Sequence, residues 1–195
     1  MLAITDTRDR IIATADALFY ARGYAATSFM DIAQALGISR GNFYYYFKTK
    51  DEILGAVIEF RLARTRALLD AWSQEEGNPA ARVGRFIQML IDNQAPIMAY
   101  GCPVGTLCAE LAKLDHPAQP QARALFTLFR DWLRAQFDAL GQGARADALA
   151  LHALMRSQGI ATLATAFRDP VLLGQEVAAL RAWLDDLSPN PEARV

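Results

Sequence analysis

Arg40 and Asn42 stand two residues apart, beside a run of three tyrosines, and have the chemistry to read base edges in DNA. An arginine forks onto guanine and an asparagine onto adenine, each through two hydrogen bonds. Gly41 between them lets the backbone approach closely. Tyr44 and Tyr45 offer hydroxyls to phosphates and rings to thymine methyls. Lys48, Lys50, Thr27 and Ser28 supply charge and hydroxyls that can hold phosphates, helped by helix N-termini. Ser39 opens this face as a helix cap.

The stretch from Thr27 to Glu52 must position these groups. Ser28 and Asp31 have capping-box spacing, and Ile32, Ala33 and Leu36 give the short helix that follows an apolar face. Gly37 frees the backbone for a sharp turn, which Ile38 plugs, and Ser39 caps a second short helix. At about 100° per residue, Phe43 and Phe47 point inward with Tyr46 beside them. Gly41 and Tyr45 face away, flanked by Arg40 and Tyr44. Thr49 and Glu52 form a second box that opens another helix, with Lys50 in its first turn. Helix, glycine turn and helix with an aromatic, polar outer face is the layout of a helix-turn-helix DNA reader.

The run from Gly37 to Glu52, GISRGNFYYYFKTKDE, resembles the signature of the tetracycline-repressor (TetR) family of transcriptional regulators. Ala17-Leu18-Phe19, Gly23-Tyr24 and Thr27-Ser28 are similar to that family's first-helix pattern. The resemblance spans roughly the first sixty residues. It implies operator DNA as partner, with the positions of Tyr44 and Lys50 used for backbone contacts. It also implies a small-molecule effector pocket in the downstream helices and a homodimer built through the last two helices.

Composition sets the outer bounds. The 195 residues suffice for a small domain plus a larger one, and richness in Ala and Leu favours an all-α chain. The net charge of −1 excludes a general polyanion-binding surface. Six basic residues against four acidic ones give the first fifty a local charge of +2, leaving −3 for the rest. No apolar run is long enough for a membrane span and no leader pattern is present, so the expected compartment is cytoplasmic. Two cysteines, Cys102 and Cys108, are too few for a disulfide framework.

Periodicity then divides the chain. A helix is expected over Thr7–Arg22, ended by Gly23, with a loose arm over residues 1–6. The helix opened at Thr49 runs to about Trp72 and leads into a second core. Asn78-Pro79 caps the next, which kinks or stops at Pro96. A breaker-rich joint at 100–105 precedes a short helix to about Lys113, and Pro117 and Pro120 interrupt again. Helices follow from about Gln121 to Leu140, from about Arg145 to Phe167, and from Pro170 to Leu187. The last two read as a hairpin. Its small residues, Ala150, Ala153, Ser157, Gly159, Ala161 and Ala164, either finish the chain's own core or admit a second copy. The expected domains are a three-helix helix-turn-helix unit over 1–50, a helical effector-binding and dimerisation domain over 51–188, and a flexible tail over 189–195.

For the effector, the candidates are Phe86, Leu90, Met98, Tyr100, Phe129, Trp132 and Met155, although aromatic stripes at helical spacing also build cores. Cys102 lies between Gly101 and Pro103 at a helix start, where the dipole favours a thiolate. Members of the family that sense electrophiles or oxidants carry a similar Gly-Cys, as do members with no such role. The two histidines, His116 and His152, form no zinc pattern with the cysteines, and no glycine-rich phosphate loop follows a strand. The expectation is therefore no enzyme, no metal and no cofactor. The reading is a DNA-binding regulator, most simply a repressor released by its effector, with activation left open. The alternative is a helical protein-interaction scaffold, which leaves the helix-turn-helix surface unexplained.

Overall fold

The computed structural model describes residues 6–75 and 77–187, and every regular element among them is helical. The chain is all-α, as expected. The helices are α1 (Thr7–Arg22), α2 (Phe29–Leu36), α3 (Arg40–Tyr46), α4 (Lys50–Glu75) and α5 (Pro79–Asp92). They continue as α6 (Gln94–Tyr100), α7 (Pro103–Lys113), α8 (Gln119–Ala139), α9 (Ala146–Phe167) and α10 (Pro170–Leu187), with a 3-10 turn at Gly143–Arg145. The tail expected over 189–195 and the first five residues of the arm lie outside the described residues.

Polar caps mark several of the starts. The Asn78 side chain accepts from the Ala81 N–H at 2.8 Å, with Pro79 as the first helical residue. Asp169 accepts from Val171 at 2.8 Å and from Leu172 at 3.3 Å ahead of α10. The chain is interrupted near Pro96 and Pro120 as expected, and each proline also helps to begin the helix that follows. The helix stops at Asp92, before Pro96, and Pro96 falls in the first turn of α6. Pro120 likewise falls in the first turn of α8, which starts at Gln119. A first turn has no intrahelical acceptor for those N–H groups, so proline costs nothing there.

The described residues form two compact units. One holds those up to Thr65 together with Pro103–Leu125, and the other holds Arg66–Cys102 and those from Phe126 onward. The unit containing the expected reader thus extends past residue 50. Its core joins Ile11, Ala15 and Phe19 of α1 to Ile32 and Ala33 of α2, Phe43 of α3, Ile53, Leu54 and Val57 of α4, and Leu107 and Leu111 of α7. An ion pair ties the same helices together. Arg61 of α4, only 8% exposed, donates to Asp16 of α1 at 2.5 Å and to the Pro103 carbonyl at 2.5 Å.

In the second unit, Val83, Phe86, Ile87 and Leu90 of α5 are buried, as are Leu173, Val177, Leu180 and Leu184 of α10. Ala150, Ala153, Ser157, Ala161 and Ala164 of α9 are buried too, so these five of the six small residues finish the chain's own core, whereas Gly159 is exposed. A different side of α9 is left open. It carries Leu151, Met155, Leu163 and Phe167, with Val171 following at the start of α10, and all five are exposed.

Candidate nucleic-acid interface

The reader is assembled from local rules. Ser28 and Asp31 form the full capping box: the Ser28 hydroxyl accepts from the Asp31 N–H at 3.2 Å, and the Asp31 carboxylate accepts from the Ser28 N–H at 2.7 Å. The Ser28 hydroxyl also donates to the Asp31 carboxylate at 2.6 Å, and that bond, then the one from the Ser28 N–H, holds the Asp31 carboxyl below the usual carboxylate range. Gly37 takes the left-handed conformation at φ 66° and ends α2. Ser39 then caps α3, accepting from the Asn42 N–H at 3.3 Å.

On α3 the expected division of faces is found. Phe43 and Phe47 are 1% and 2% exposed, whereas Ser39, Arg40, Gly41, Asn42, Tyr45 and Lys48 are exposed. Tyr44 is half-buried and lies between two groups. Its ring stacks on Phe29 at 5.4 Å, and the Arg40 guanidinium carbon lies 5.5 Å from its centroid. No acidic residue occurs from 32 to 50, so the ionised side chains on this face are cationic.

Two expected phosphate contacts have other tasks. Thr27 is 1% exposed, and its hydroxyl donates to the Gly23 carbonyl at 2.8 Å, closing the turn between α1 and α2. The Lys50 ammonium reaches back to the carbonyls of Tyr24 at 3.0 Å, Thr27 at 3.2 Å and Ala25 at 3.4 Å, over the Tyr24 ring. An ammonium has three N–H donors, and this turn engages all of them. Lys48 stays exposed, with its ammonium donating to the Tyr44 carbonyl at the end of α3. The second capping box is shifted by one residue. Thr49 accepts from the Glu52 N–H at 3.1 Å, but the Glu52 carboxylate takes the N–H of Lys48 at 2.7 Å.

The α1–α2 turn is also held from far along the chain. The Glu110 carboxylate of α7 accepts from the N–H groups of Tyr24 and Ala25, each at 2.8 Å. The Tyr24 hydroxyl donates to Asp51 at 2.5 Å, and His116 Nε2 lies 3.5 Å from the same carboxylate oxygen. Burial, then the bond to Asp51, pushes the Tyr24 hydroxyl pKa far up, and the same bond lowers that of Asp51. Sequence spacing cannot reveal a clamp between residues 85 positions apart. Met30 was also missed, although the period that turns Phe29, Ile32, Ala33 and Leu36 inward leaves it facing out.

The expected effector residues differ in burial. Phe86, Leu90 and Phe129 are buried in the second unit's core, the two phenylalanine rings 5.7 Å apart. Trp132 packs on Trp72 and donates its indole N–H to Ser73 at 2.9 Å. Met98 is half-buried, and Tyr100 and Met155 are exposed. A cavity of about 670 Å³ opens beside α5 and α10, with Arg85, Gln88, Asp92, Arg181 and Asp185 among its lining residues. Cys102 is half-buried, and its Sγ accepts from the Gln158 side chain at 3.4 Å. Among the described residues, no helix is long and apolar enough to cross a membrane, and no group of His, Cys, Asp or Glu is placed to hold a metal ion.

A capped helix, a left-handed glycine turn and a short second helix with a cationic, aromatic outer face define a helix-turn-helix DNA-binding protein. The family profile "Bacterial regulatory proteins, tetR family" matches residues 11–57. An uncharacterized HTH-type transcriptional regulator in the lacX 3′ region of Lactococcus lactis subsp. lactis is 30% identical over 139 residues, 70% of this chain and 71% of its own length. The chain belongs to the TetR family of bacterial transcriptional regulators. A TetR transcriptional regulator from Legionella pneumophila superposes with a TM-score of 0.81 at 25% identity, covering 95% of this chain and 98% of that one. The transcriptional repressor NemR of Escherichia coli is 28% identical over 113 residues, 56% of each chain. Its reduced form has the same fold, with a TM-score of 0.77 at 19% identity over 89% of this chain and 94% of that one.

Proposed function

We propose that this regulator is a homodimeric repressor that reads a pseudo-palindromic operator through α3 and leaves it when a small molecule engages the larger helical unit. The observation that carries this reading is the outer face of α3, where Arg40, Gly41, Asn42 and Tyr45 are exposed and no acid lies between residues 32 and 50. Arg40 and Asn42 read guanine and adenine edges. Ser39, Tyr44 and Lys48 hold phosphates and set the register, whereas the Ser28 hydroxyl is engaged by Asp31. In the dimer, paired through α9 and α10, two copies of α3 lie about 34–36 Å apart, one turn of DNA. The helix α4 begins beside the reader and continues into the second unit, so an effector there can alter that spacing. A coupling of roughly 1–3 kcal/mol is enough to switch occupancy. The name of the relative NemR, a repressor, supports the sign of regulation.

A mobility shift on the DNA upstream of its own coding region, across a salt series, tests the reading. Tyr44→Ala is expected to weaken binding to every sequence. Asn42→Ala is expected to relax preference at one base pair, by roughly 1–3 kcal/mol of discrimination. Equal, salt-independent losses in both variants would count against the division of roles, and no shift at low salt would favour a protein-binding scaffold.

One effector class has a specific observation behind it. Cys102 directly precedes α7, is half-buried, and its Sγ accepts from the Gln158 side chain, so it is the nucleophile an electrophile would meet in this unit. A thiol-reactive aldehyde or quinone is then expected to release the operator from the wild type and not from Cys102→Ser. Release of both alike ends the idea.

A further inference from the structure

Between the first turn of α2 and α3 lies a cleft of about 310 Å³, lined by Ser28, Phe29, Met30, Ala33, Arg40, Phe43 and Tyr44. Ala33 and Phe43 are buried, the latter with its ring edge-to-face against Phe29 at 5.1 Å. Phe29 and Tyr44 are stacked, so the aromatic lining is held by its own contacts. Met30 is 56% exposed. Ser28 and Arg40 bring the polar side chains of the lining, and Ser28 is committed to its capping box with Asp31.

A lone exposed methionine is ordinary. This one lines an apolar cleft that Tyr44 and Arg40 make continuous with the DNA-reading face. A duplex presents one apolar group in its major groove, the C5-methyl of thymine. Carbon-lined walls cannot hydrogen-bond a base edge, whereas they can take a methyl out of water. Methionine suits this task, since its thioether is flexible and polarizable. The occupant must also sit within a polyanion. Arg40 supplies the matching charge, and Asp31, the acid next to Met30, is engaged by Ser28 and faces Arg22 at 4.0 Å.

The geometry points to Met30 as a specificity-determining residue that, with Phe29 and Tyr44, reads a thymine methyl beside the base contacted by Arg40. This rests on the DNA-reading assignment of α3. Tyr44 and Arg40 then have a second role, as walls of the subsite. Every operator half-site contains one thymine whose methyl, and not merely its hydrogen-bonding edge, is recognised.

The test uses the full chain and an operator selected from a random duplex pool, with each thymine replaced in turn by deoxyuridine. Wild type is expected to lose about fourfold in affinity at one position per half-site, the effect of one buried methyl. Met30→Ala is expected to bind the thymine and uridine forms of that position alike, while Met30→Leu keeps the preference. Wild-type binding that tolerates uridine at every position overturns the inference, as does the same sensitivity in Met30→Ala. Failure to select any duplex is a separate result, which removes the DNA-reading assignment beneath it.

Discussion

Met155→Glu and Leu163→Glu are each expected to turn the protein from dimer to monomer and to weaken operator binding about 10²–10⁴-fold. Both side chains lie on the outer side of α9, 65% and 47% exposed, on a helix whose inner side is fully used. An exposed substitution of this kind changes the stability of a single chain by about 0.5 kcal/mol or less. In the proposed dimer, paired through α9 and α10, the same glutamates fall in an apolar interface, where burying charge is costly. Loss of the second half-site removes the effective concentration gained by linking two readers, which sets the size of the loss in affinity. Sedimentation and mobility shift together make the measurement. A Met155→Glu protein that stays dimeric and binds normally would show that the hairpin is not the interface.

Asp16→Asn is expected to destabilise the DNA-reading unit by about 3–5 kcal/mol, because it leaves the Arg61 guanidinium buried without its counter-charge. The pair is short at 2.5 Å, and its side chains are 9% and 19% exposed, so water does little to replace the lost partner. The Pro103 carbonyl still accepts from Arg61, but it brings only a dipole. Replacing both members by apolar residues of similar size is expected to cost less than either single change. Urea unfolding followed from the aromatic residues distinguishes these cases. Single variants within about 0.5 kcal/mol of wild type would remove the ion pair from the account of stability.

The sequence shows best what is decided within a few residues. Ser28-x-x-Asp31, Gly37 and Ser39 each solve a local backbone problem, so the order and nature of α2 and α3 follow from residue types and spacing alone. Asn78-Pro79 and Asp169-Pro170 are legible for the same reason. The interruptions near Pro96 and Pro120 are legible too, although residue type alone does not tell that each proline falls in the first turn of the next helix. Tertiary contacts are hidden more deeply. Thr27 and Lys50 carry groups suited to phosphate, but both donate to backbone carbonyls of the α1–α2 turn, which spacing does not reveal. For the apolar set from Phe86 to Met155, helical periodicity finds an apolar face without telling a core from a cavity or an open surface.

The Glu110 clamp bears on how such regulators can be recombined. Its carboxylate supplies acceptors for two backbone N–H groups in the turn that leads into the reader, and Leu107 and Leu111 on the same helix complete the reader's core. The DNA-reading half is therefore not a cassette that ends with the first part of α4. A chimera that joins residues up to Thr65 to a foreign effector domain inherits an open core and two unanswered amides, unless the donor brings a matching α7. Exchange of specificity between regulators built this way favours grafting the exposed face of α3 over splicing whole domains, so new operators can be acquired one surface residue at a time.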